Sequence, residues 1–289
     1  MALSTSLWAY GFLQGAHAGC ILFRRFSGAT EPMTAKTILI TGASSGIGAA
    51  LARVYAAPGT RLILWGQNEV RLNATAEQCR ERGATIETSS FDLAEFGQLV
   101  TELEAADTRN PFDLAIFNAG MGGSLPPDCA AQDVRAAEKM ASVNFTAPVV
   151  GANLLAERMA KRGRGRIVMV GSVAASFPLP MAPLYAGTKA GLALFAEALG
   201  LRLARYGVGV TLVSPGFVDT PMSQNLKEPR PFLISADAAA AVIARRIECG
   251  ARRIVVPWQF AVIRVAAGFL PRAIIRAVLS RILRASVAE

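Results

Sequence analysis

An apolar strand that runs directly into a glycine-rich turn is the feature that most constrains the fold of this chain. Residues 38–40 read Ile-Leu-Ile and residues 41–48 read Thr-Gly-Ala-Ser-Ser-Gly-Ile-Gly, with a helix-like stretch after them. Gly42 allows a tight turn, Gly46 removes a Cβ where a pyrophosphate would approach, and Gly48 lets the helix sit close to the strand. Together they offer free backbone N–H groups and a helix N-terminus to a phosphate. An ordinary strand-to-helix turn is the alternative for this stretch taken alone.

The rest of the chain alternates apolar, strand-like runs with helix-like stretches. Such alternation is typical of parallel strands joined by right-handed crossovers, with helices on both faces of the sheet. We therefore predict an α/β fold, a Rossmann-type doubly wound parallel sheet of about seven strands with an extra C-terminal helical tail. The predicted strands lie at residues 38–40, 61–65, 85–90, 113–117, 166–170, 208–213 and 253–256.

The composition narrows the chemistry that the chain can perform. Hydrophobic residues make up 52% of the 289 residues and the mean hydropathy is +0.36, so apolar side chains must be very well buried or face a membrane or a partner. The single histidine, His17, nearly excludes a histidine-based triad or a histidine-rich metal site, and no metal site is predicted. Four cysteines lack metal-ligand or redox spacing and are expected to be free thiols in a reducing compartment. They are Cys20, Cys79, Cys129 and Cys249.

The net charge of +9 is concentrated near the C-terminus. After residue 250 the chain has seven arginines and one acidic residue, Glu289. No basic-aromatic stripe or zinc-finger spacing accompanies them, so nucleic acid is not expected as a partner. A basic, apolar tail favours an anionic membrane surface instead.

The first 32 residues differ in character from the rest. Residues 7–23 are moderately apolar but interrupted, lack a basic stretch before them, and form a poor signal peptide and a marginal membrane span. Two readings stay open for residues 1–32. They are a weak anchor, or they are a disordered extension ahead of a natural start at Met33.

The tail, residues 258–289, is predicted to be a basic amphipathic element. Pro271 divides it into two helical pieces, and Trp258 stands at its start. Such a helix is typical of an interfacial membrane element, with packing on the body or on another subunit as the alternative. In the second piece, apolar residues recur at helical spacing and arginines fall largely on the other side; these are Ile274, Ile275, Val278, Leu279, Ile282 and Leu283 against Arg272, Arg276 and Arg284.

Four residues form a pattern that indicates acid–base chemistry. Tyr185 and Lys189 are four positions apart and share one helix face. A phenol has a pKa of about 10, and a nearby ammonium lowers it, which would make Tyr185 a proton donor to a carbonyl or an acceptor from an alcohol. Ser172 can hydrogen-bond the same substrate oxygen. Asn144 can hold a water or a backbone kink that links Lys189 to solvent.

Taken together, these motifs resemble the short-chain dehydrogenase/reductase family in its compact form, over roughly residues 36–257. The resemblance implies an NAD(P)-dependent oxidoreductase that interconverts a secondary alcohol and a ketone and forms a homo-oligomer. The chain would then consist of an extension at 1–32, an NAD(P)-binding Rossmann catalytic domain at 33–257, and the tail at 258–289. The matching motifs are residues 41–48 as TGxxxGIG, residues 118–120 as NAG, Asn144, Ser172, the Tyr185/Lys189 pair, and the PG segment at 215–220.

The resemblance also implies a role for each catalytic residue. Tyr185 becomes the acid/base, Ser172 stabilises the oxyanion, and Lys189 lowers the tyrosine pKa and binds the nicotinamide ribose. Asn144 completes the proton relay. The chemistry of hydride transfer belongs to the cofactor, while the protein supplies position and electrostatics.

The same resemblance implies a cofactor site that runs along one edge of the sheet. Asp92 and Leu93 would flank the adenine, residues 118–120 would line the adenine ribose, and Val218 and Thr220 would contact the carboxamide. The full cofactor set is Gly42, Ser44, Ser45, Gly46, Ile47, Gly48, Gln67, Asp92, Leu93, Asn118, Ala119, Gly120, Tyr185, Lys189, Pro215, Gly216, Val218 and Thr220.

The end of the second strand normally selects between NAD and NADP. Here Gly66 takes the place of the NAD-selecting acid and Gln67 that of a common NADP-selecting arginine, while Ser45 takes the other frequent basic position. Because no acid repels a phosphate and Arg71 could reach one, NADP is favoured over NAD.

A loop at residues 217–235 is expected to cover the substrate. Apolar residues in this loop and near Tyr185 suggest a hydrophobic or lipid-like substrate, unless these side chains only pack against each other. We expect a cytoplasmic protein that can lie peripherally at the inner face of a membrane. A membrane-associated nucleotide-binding scaffold without turnover is the alternative function. The apolar residues are Phe217, Met222, Leu226 and Phe232 in the loop, and Phe177, Leu179, Pro180, Met181 and Leu184 near the tyrosine.

Overall fold

The computed structural model describes residues 35–281 except 127–128, 225, 227–228, 272, 276 and 278. The predicted N-terminal extension at residues 1–32 and the predicted start at Met33 lie outside the described residues. So do eleven residues of the predicted amphipathic tail, which are Arg272, Arg276, Val278 and residues 282–289, among them Ile282, Leu283 and Arg284. The division of the chain at residues 32 and 257 stays a prediction.

Seven parallel strands form one sheet in the order β3-β2-β1-β4-β5-β6-β9, as the alternating pattern predicted. The strand ends differ from the predicted ones by two residues at most, and β6 extends furthest because Leu212–Pro215 pair with Arg253–Val256. Two short strands, β7 and β8, pair with each other outside this sheet. The strands are β1 Thr37–Thr41, β2 Arg61–Trp65, β3 Thr85–Ser89, β4 Leu114–Phe117, β5 Gly165–Val170, β6 Val208–Pro215, β7 Val218–Asp219, β8 Ile234–Ser235 and β9 Arg253–Val256.

Helices cover both faces of the sheet, which confirms the doubly wound Rossmann-type fold. A π-helical turn, Ser142–Thr146, joins α4 to α5, and 3₁₀ turns lie at Val173–Ser176 and Ala204–Tyr206. The helices are α1 Gly46–Tyr55, α2 Glu69–Arg80, α3 Phe96–Arg109, α4 Val134–Ala141, α5 Ala147–Arg162, α6 Pro183–Leu203, α7 Pro221–Gln224, α8 Ala236–Glu248 and α9 Gln259–Gly268.

The two faces of the sheet carry separate apolar cores. Successive strand residues point to opposite faces, so Ile38 and Ile40 of β1 join one core and Leu39 joins the other. Helices α1 and α8 close the first core, and α3, α5 and α6 close the second. Burying each of these large side chains contributes roughly 1.5–3 kcal/mol. A strand that is buried on both faces therefore has a continuous apolar sequence.

A buried ion cluster ties α3 to α5. Asp107 is fully buried, and its carboxylate accepts hydrogen bonds from Arg158 Nε at 2.6 Å and Arg162 Nη1 at 2.7 Å. Although burial raises the pKa of Asp107, the hydrogen bonds from Arg162, Arg158 and the Phe112 N–H hold that pKa below its usual value. The cluster fixes the second core at the far end of the sheet from the glycine turn.

The topology places a ligand crevice beside the glycine turn. Strands β1 and β4 are neighbours in the sheet. The chain continues from β1 to β2 on one side and from β4 to β5 on the other, so a crevice opens beyond the carboxyl ends of β1 and β4. Asn118, just after β4, donates from its backbone N–H to Thr41 Oγ1 at 3.0 Å and from Nδ2 to the Thr41 carbonyl at 3.1 Å. Within the described residues, no helix is long and apolar enough to cross a bilayer.

Candidate active site

The glycine turn leaves no room for side chains. Gly42 and Gly46 adopt φ values of +68° and +55°, which side-chain-bearing residues rarely adopt. A Cβ on Gly48 would lie 2.5 Å from Asn118 Nδ2, and one on Gly42 would lie 2.8 Å from Ala119 Cα. These contacts show that the turn is packed backbone against backbone, as the three predicted roles for its glycines require.

The N-terminus of α1 is available to an anion. Ser45 precedes the helix in an extended conformation and its side chain makes no capping hydrogen bond. The first N–H groups of a helix have no partner inside it, and their dipoles favour negative charge. Ile47 is partly buried and packs on the first core.

Two arginines line an open cleft beside α1, and one of them is held in an ion pair. Ser44, Ser45, Arg53 and Arg71 all line this cleft. Arg53 forms an ion pair with Asp237 at 2.6 Å. The guanidinium of Arg71 makes no hydrogen bond or ion pair with any residue in the described part of the chain. Arg71 is therefore the cation that an incoming anion would meet first.

The residues after β2 and β3 are joined by a bridge that the sequence did not reveal. Asp92 Oδ2 lies 3.2 Å from Gln67 Nε2 and 3.0 Å from Lys139 Nζ of α4. The hydrogen bond from the Ala94 N–H, together with those from Lys139 and Gln67, holds the pKa of Asp92 below its usual value despite partial burial. The predicted adenine side of the site thus includes Lys139. Only a contact between residues far apart in sequence identifies it.

Three further predicted cofactor residues lie close to the glycine turn. Leu93 and Ala119 line one small cavity together with Thr41. Thr220 lies against the turn, because a Cβ on Gly46 would be 2.9 Å from Thr220 Cγ2. The structure therefore brings the residues after β3, β4 and β6 to one edge of the sheet, as predicted.

The PG segment leads from β6 into the loop that carries Thr220. Pro215 is the last residue of β6 and is buried, and the Gly216 N–H donates to the Val256 carbonyl at 2.8 Å. Val218 is buried in β7, and its carbonyl accepts a 2.6 Å hydrogen bond from Ser223 Oγ. These bonds hold the segment rigidly beside the turn.

Tyr185 and Lys189 lie in the first half of α6, facing the sheet. Lys189 Nζ is buried, donates to the Val170 carbonyl at 3.0 Å and lies 6.0 Å from the centre of the Tyr185 ring. Ser172 follows β5, and its Oγ accepts from the Ala174 N–H at 3.1 Å. Tyrosine, serine and lysine therefore converge at the carboxyl end of β5.

Burial shifts the pKa values of Tyr185 and Lys189 in opposite directions. Burial raises the pKa of Tyr185, and hydrogen bonding by Ser172 opposes the rise. Burial also lowers the pKa of Lys189 to about 8. That Lys189 lowers the tyrosine pKa stays a prediction, because burial is the largest influence on both groups here. The ammonium points to the Val170 carbonyl, and the surrounding apolar packing disfavours both charged forms.

Asn144 completes the cluster from the π-helical turn between α4 and α5. Its Oδ1 accepts from the Met121 N–H at 2.6 Å, and its Nδ2 donates to the Met121 carbonyl at 2.8 Å. A Cβ on Gly120 would lie 3.2 Å from Asn144 Oδ1 and 3.3 Å from Lys189 Nζ. The π-helical turn at Asn144 places its amide next to the lysine, and the predicted link from Lys189 to solvent stays a prediction. Such π turns are frequent at functional sites.

The fold and this site define a class of protein. A glycine turn at the switch point of a doubly wound sheet, with a buried tyrosine and lysine at the next strand ends, belongs to dinucleotide-dependent oxidoreductases. The residues present fit the dinucleotide, because the cradle excludes every Cβ, the helix N-terminus is uncapped and Arg71 is free to bind an anion.

Comparison with known proteins identifies the family. The family model described as short chain dehydrogenase matches residues 36–231. This chain therefore belongs to the short-chain dehydrogenase/reductase family and is an NAD(P)-dependent oxidoreductase that acts on CH–OH groups.

Three similar proteins illustrate the relationship. An uncharacterized oxidoreductase of Myxococcus xanthus is 30% identical over 251 residues, which cover 86% of this chain and 98% of that protein. A short-chain dehydrogenase from Sphingobium yanoikuyae in complex with NADPH has a TM-score of 0.72 and 28% identity, covering 80% of this chain and 93% of its own. The bulky-bulky ketone specific alcohol dehydrogenase from Comamonas testosteroni has a TM-score of 0.68 and 28% identity, covering 81% and 92%.

The buried lysine makes a prediction about stability and pH. The pKa of Lys189 is about 8 in the folded protein and near 10.5 when unfolded, so the unfolded state binds more protons between these values and stability rises with pH there. At pH values below about 8 the full penalty, about 3 kcal/mol, is present. Lys189→Met removes the penalty, and loss of the Val170 hydrogen bond offsets part of the gain.

Urea unfolding of the protein without cofactor, at several pH values between about 7 and 9.5, measures this effect. The wild type is expected to gain stability relative to Lys189→Met as the pH rises. Lys161→Met, which removes an exposed lysine on α5, serves as the control and should follow the wild type. A constant difference between wild type and Lys189→Met across the range would show that Lys189 stays charged.

Proposed function

We propose that this enzyme interconverts a secondary alcohol and a ketone, with Tyr185 as the acid/base. The observation that carries the proposal is the single cluster of buried Lys189 and Asn144 with half-buried Ser172 and Tyr185, packed against Gly120 at the end of the predicted cofactor crevice. A scaffold that only binds nucleotide would have no need of a desolvated lysine beside a tyrosine.

The cofactor residues would hold NAD(P) along the crevice. The glycine turn and the N-terminus of α1 would bind the pyrophosphate, Asp92 and Leu93 the adenine, and residues 118–120 its ribose. Val218 and Thr220 would meet the carboxamide. Once bound, the nicotinamide supplies or accepts a hydride.

The phenol of Tyr185 is protonated at neutral pH, because burial disfavours its charged form. A phenol that keeps its proton at neutral pH can donate it to a carbonyl oxygen as that oxygen gains negative charge, and the Ser172 hydroxyl can hydrogen-bond the same oxygen. With a pKa of about 8, Lys189 can gain or lose a proton near neutrality and so resupply the tyrosine. Asn144, next to Lys189, would complete that relay.

Replacing the phenol tests the proposal directly. Tyr185→Phe should lower kcat at least about a hundredfold, because it removes the proton donor while keeping the ring. Dinucleotide binding, followed by fluorescence, should remain. Tyr206→Phe, in the exposed 3₁₀ turn that follows α6, is the matched control and should keep full activity. Unchanged turnover in Tyr185→Phe would refute the role, and no turnover of any ketone by the wild type would favour the scaffold alternative.

For the cofactor we propose NADP rather than NAD. Arg71 lines a cleft with Ser44 and Ser45 and has no partner among the described side chains, so it is available to a 2′-phosphate. Gln67, by contrast, is held by Asp92. The Sphingobium yanoikuyae relative was crystallised with NADPH, which is consistent with this preference.

An arginine-to-leucine exchange separates the two cofactors. Arg71→Leu should raise the Kd for NADPH about tenfold and leave the Kd for NADH unchanged, because charge-assisted hydrogen bonds to a phosphate are worth about 1.5–3 kcal/mol. Arg80→Leu, on the same helix but paired with Glu77, is the control. An equal change for both dinucleotides would mean that Arg71 does not contact the 2′-phosphate.

We further propose a hydrophobic substrate. The two segments that carry the predicted apolar residues both contact the loop after β4. Met222 Cγ is 2.9 Å from where a Cβ on Gly122 would lie, and the Leu125 N–H donates to the Met181 carbonyl at 2.7 Å. The Comamonas testosteroni neighbour is specific for bulky-bulky ketones, which agrees with a wide apolar cleft. Mutual packing of the loops is the alternative.

A homo-oligomer is supported by an unpartnered face of α6. Leu194 and Leu201 are 70% and 72% exposed and share one side of the helix, since they are seven residues apart. Gly187 and Ala190 lie on the same side of the helix and are exposed. Because these residues are small, a second copy could approach closely there. Apolar surface of this kind marks an interface.

Charges on this stripe should break the oligomer. Leu194→Arg/Leu201→Arg is expected to yield a monomer in light scattering after size exclusion, because like charges would face each other across a symmetric interface. Val242→Arg introduces the same charge at an exposed apolar position of α8 and should leave the mass of the oligomer unchanged. A monomeric wild type, or an oligomeric double variant, would remove α6 from the interface.

A further inference from the structure

Helix α9 is apolar on its solvent-exposed side. Its single charged residue, Arg264, is half-buried against the body. The residues facing outward are apolar, with Val262 56%, Val265 54% and Phe269 85% exposed, and Trp258, just before the helix, is 68% exposed. A contiguous apolar surface of this kind marks a site of interaction.

The inner side of α9 is attached to the substrate loop at residues 217–235. Phe260 is buried, and its ring fills the space where a Cβ on Gly216 would lie. The same ring packs edge-to-face against Phe217 at 6.0 Å and Phe232 at 5.7 Å between ring centres. Phe232 has a φ of +57°, a strained conformation that persists only where contacts fix it. Phe260 therefore holds the start and the end of the loop together.

Charge indicates what covers the outer side. From residue 258 onward the chain has five arginines and one acidic residue, so two tails packed on each other would repel. An anionic surface attracts the same arginines and also accepts exposed valine, phenylalanine and tryptophan side chains at its boundary with water. The described helices include none that could span a bilayer, so any attachment through α9 is at the surface.

We propose that α9 docks its outer face on an anionic lipid bilayer and, through Phe260, transmits docking to the substrate loop. The substrate cleft then opens at the bilayer surface, and the enzyme draws a membrane-dissolved alcohol or ketone from it. The substrate statement rests on the proposed function, whereas docking and its transmission to the loop do not.

Flotation with vesicles tests docking. The full-length enzyme saturated with NADPH should float with vesicles of phosphatidylcholine and phosphatidylglycerol but not with phosphatidylcholine alone. Val262→Asp/Val265→Asp should bind these vesicles at least about tenfold more weakly, because two apolar contacts become charged. Val242→Asp, at a similarly exposed position on α8, is the matched control.

Trp258 gives a second, local signal. Its fluorescence should shift to the blue with the anionic vesicles, and Trp258→Phe should lose that shift while still floating. Failure of the wild type to float, or flotation of the double aspartate variant like the wild type, would overturn docking through α9. Loss of self-association in the double variant, without any lipid binding by the wild type, would assign the face to a second copy instead.

Hydrogen–deuterium exchange tests transmission without a known substrate. Anionic vesicles should change the exchange rate of residues 217–235 at least about fivefold in the wild type. Phe260→Leu should still float but lose that change, because the smaller side chain no longer links the two ends of the loop. An equal change in both proteins would exclude Phe260 as the link. Turnover of a ketone, measured without vesicles, reports separately on the proposed function.

Discussion

Close backbone packing between the glycine turn and the segment after β4 is the constraint on which the site depends. A Cβ on Gly48 or Gly42 would collide with Asn118 or its neighbour, so these positions accept glycine alone. That packing fixes the path of the chain to Gly120, where a Cβ would press on Lys189. The glycine turn and the catalytic cluster are therefore connected through the packed segment after β4. A substitution in the turn should shift the surroundings of Lys189.

The catalytic cluster is costly for the fold. The ammonium of Lys189 in α6 is buried and has no carboxylate partner in the part of the chain that the structure describes. Burial disfavours both its charge and the phenolate of Tyr185. The sheet can bear this cost because its strands are buried on both faces by separate cores. Since the two charged forms are both disfavoured, the resting pair is best described as a neutral phenol beside a lysine that titrates near neutrality. That state is suited to giving a proton to a carbonyl oxygen.

Local patterns were sufficient to predict the strands, the glycine turn and the Tyr185/Lys189 pair, because each depends on residues close together in sequence. The Asp92–Lys139 bridge and the buried ion cluster around Asp107 could not be predicted, since both join residues far apart in sequence. The degree of burial of the Tyr185/Lys189 pair could not be predicted either, for a related reason. Spacing shows that a lysine is near, but only packing shows how far both groups are removed from water.

The high hydropathy of the chain acquires a physical meaning from where its exposed apolar residues lie. A large part of the apolar content fills two cores, which is ordinary for a sheet covered on both faces. The remainder includes the outer face of α9, and the inner face of that helix is packed through Phe260 against the loop beside the cleft. An exposed apolar face elsewhere would reveal only a contact. At this position, whatever covers α9 also bears on the loop that is expected to cover the substrate.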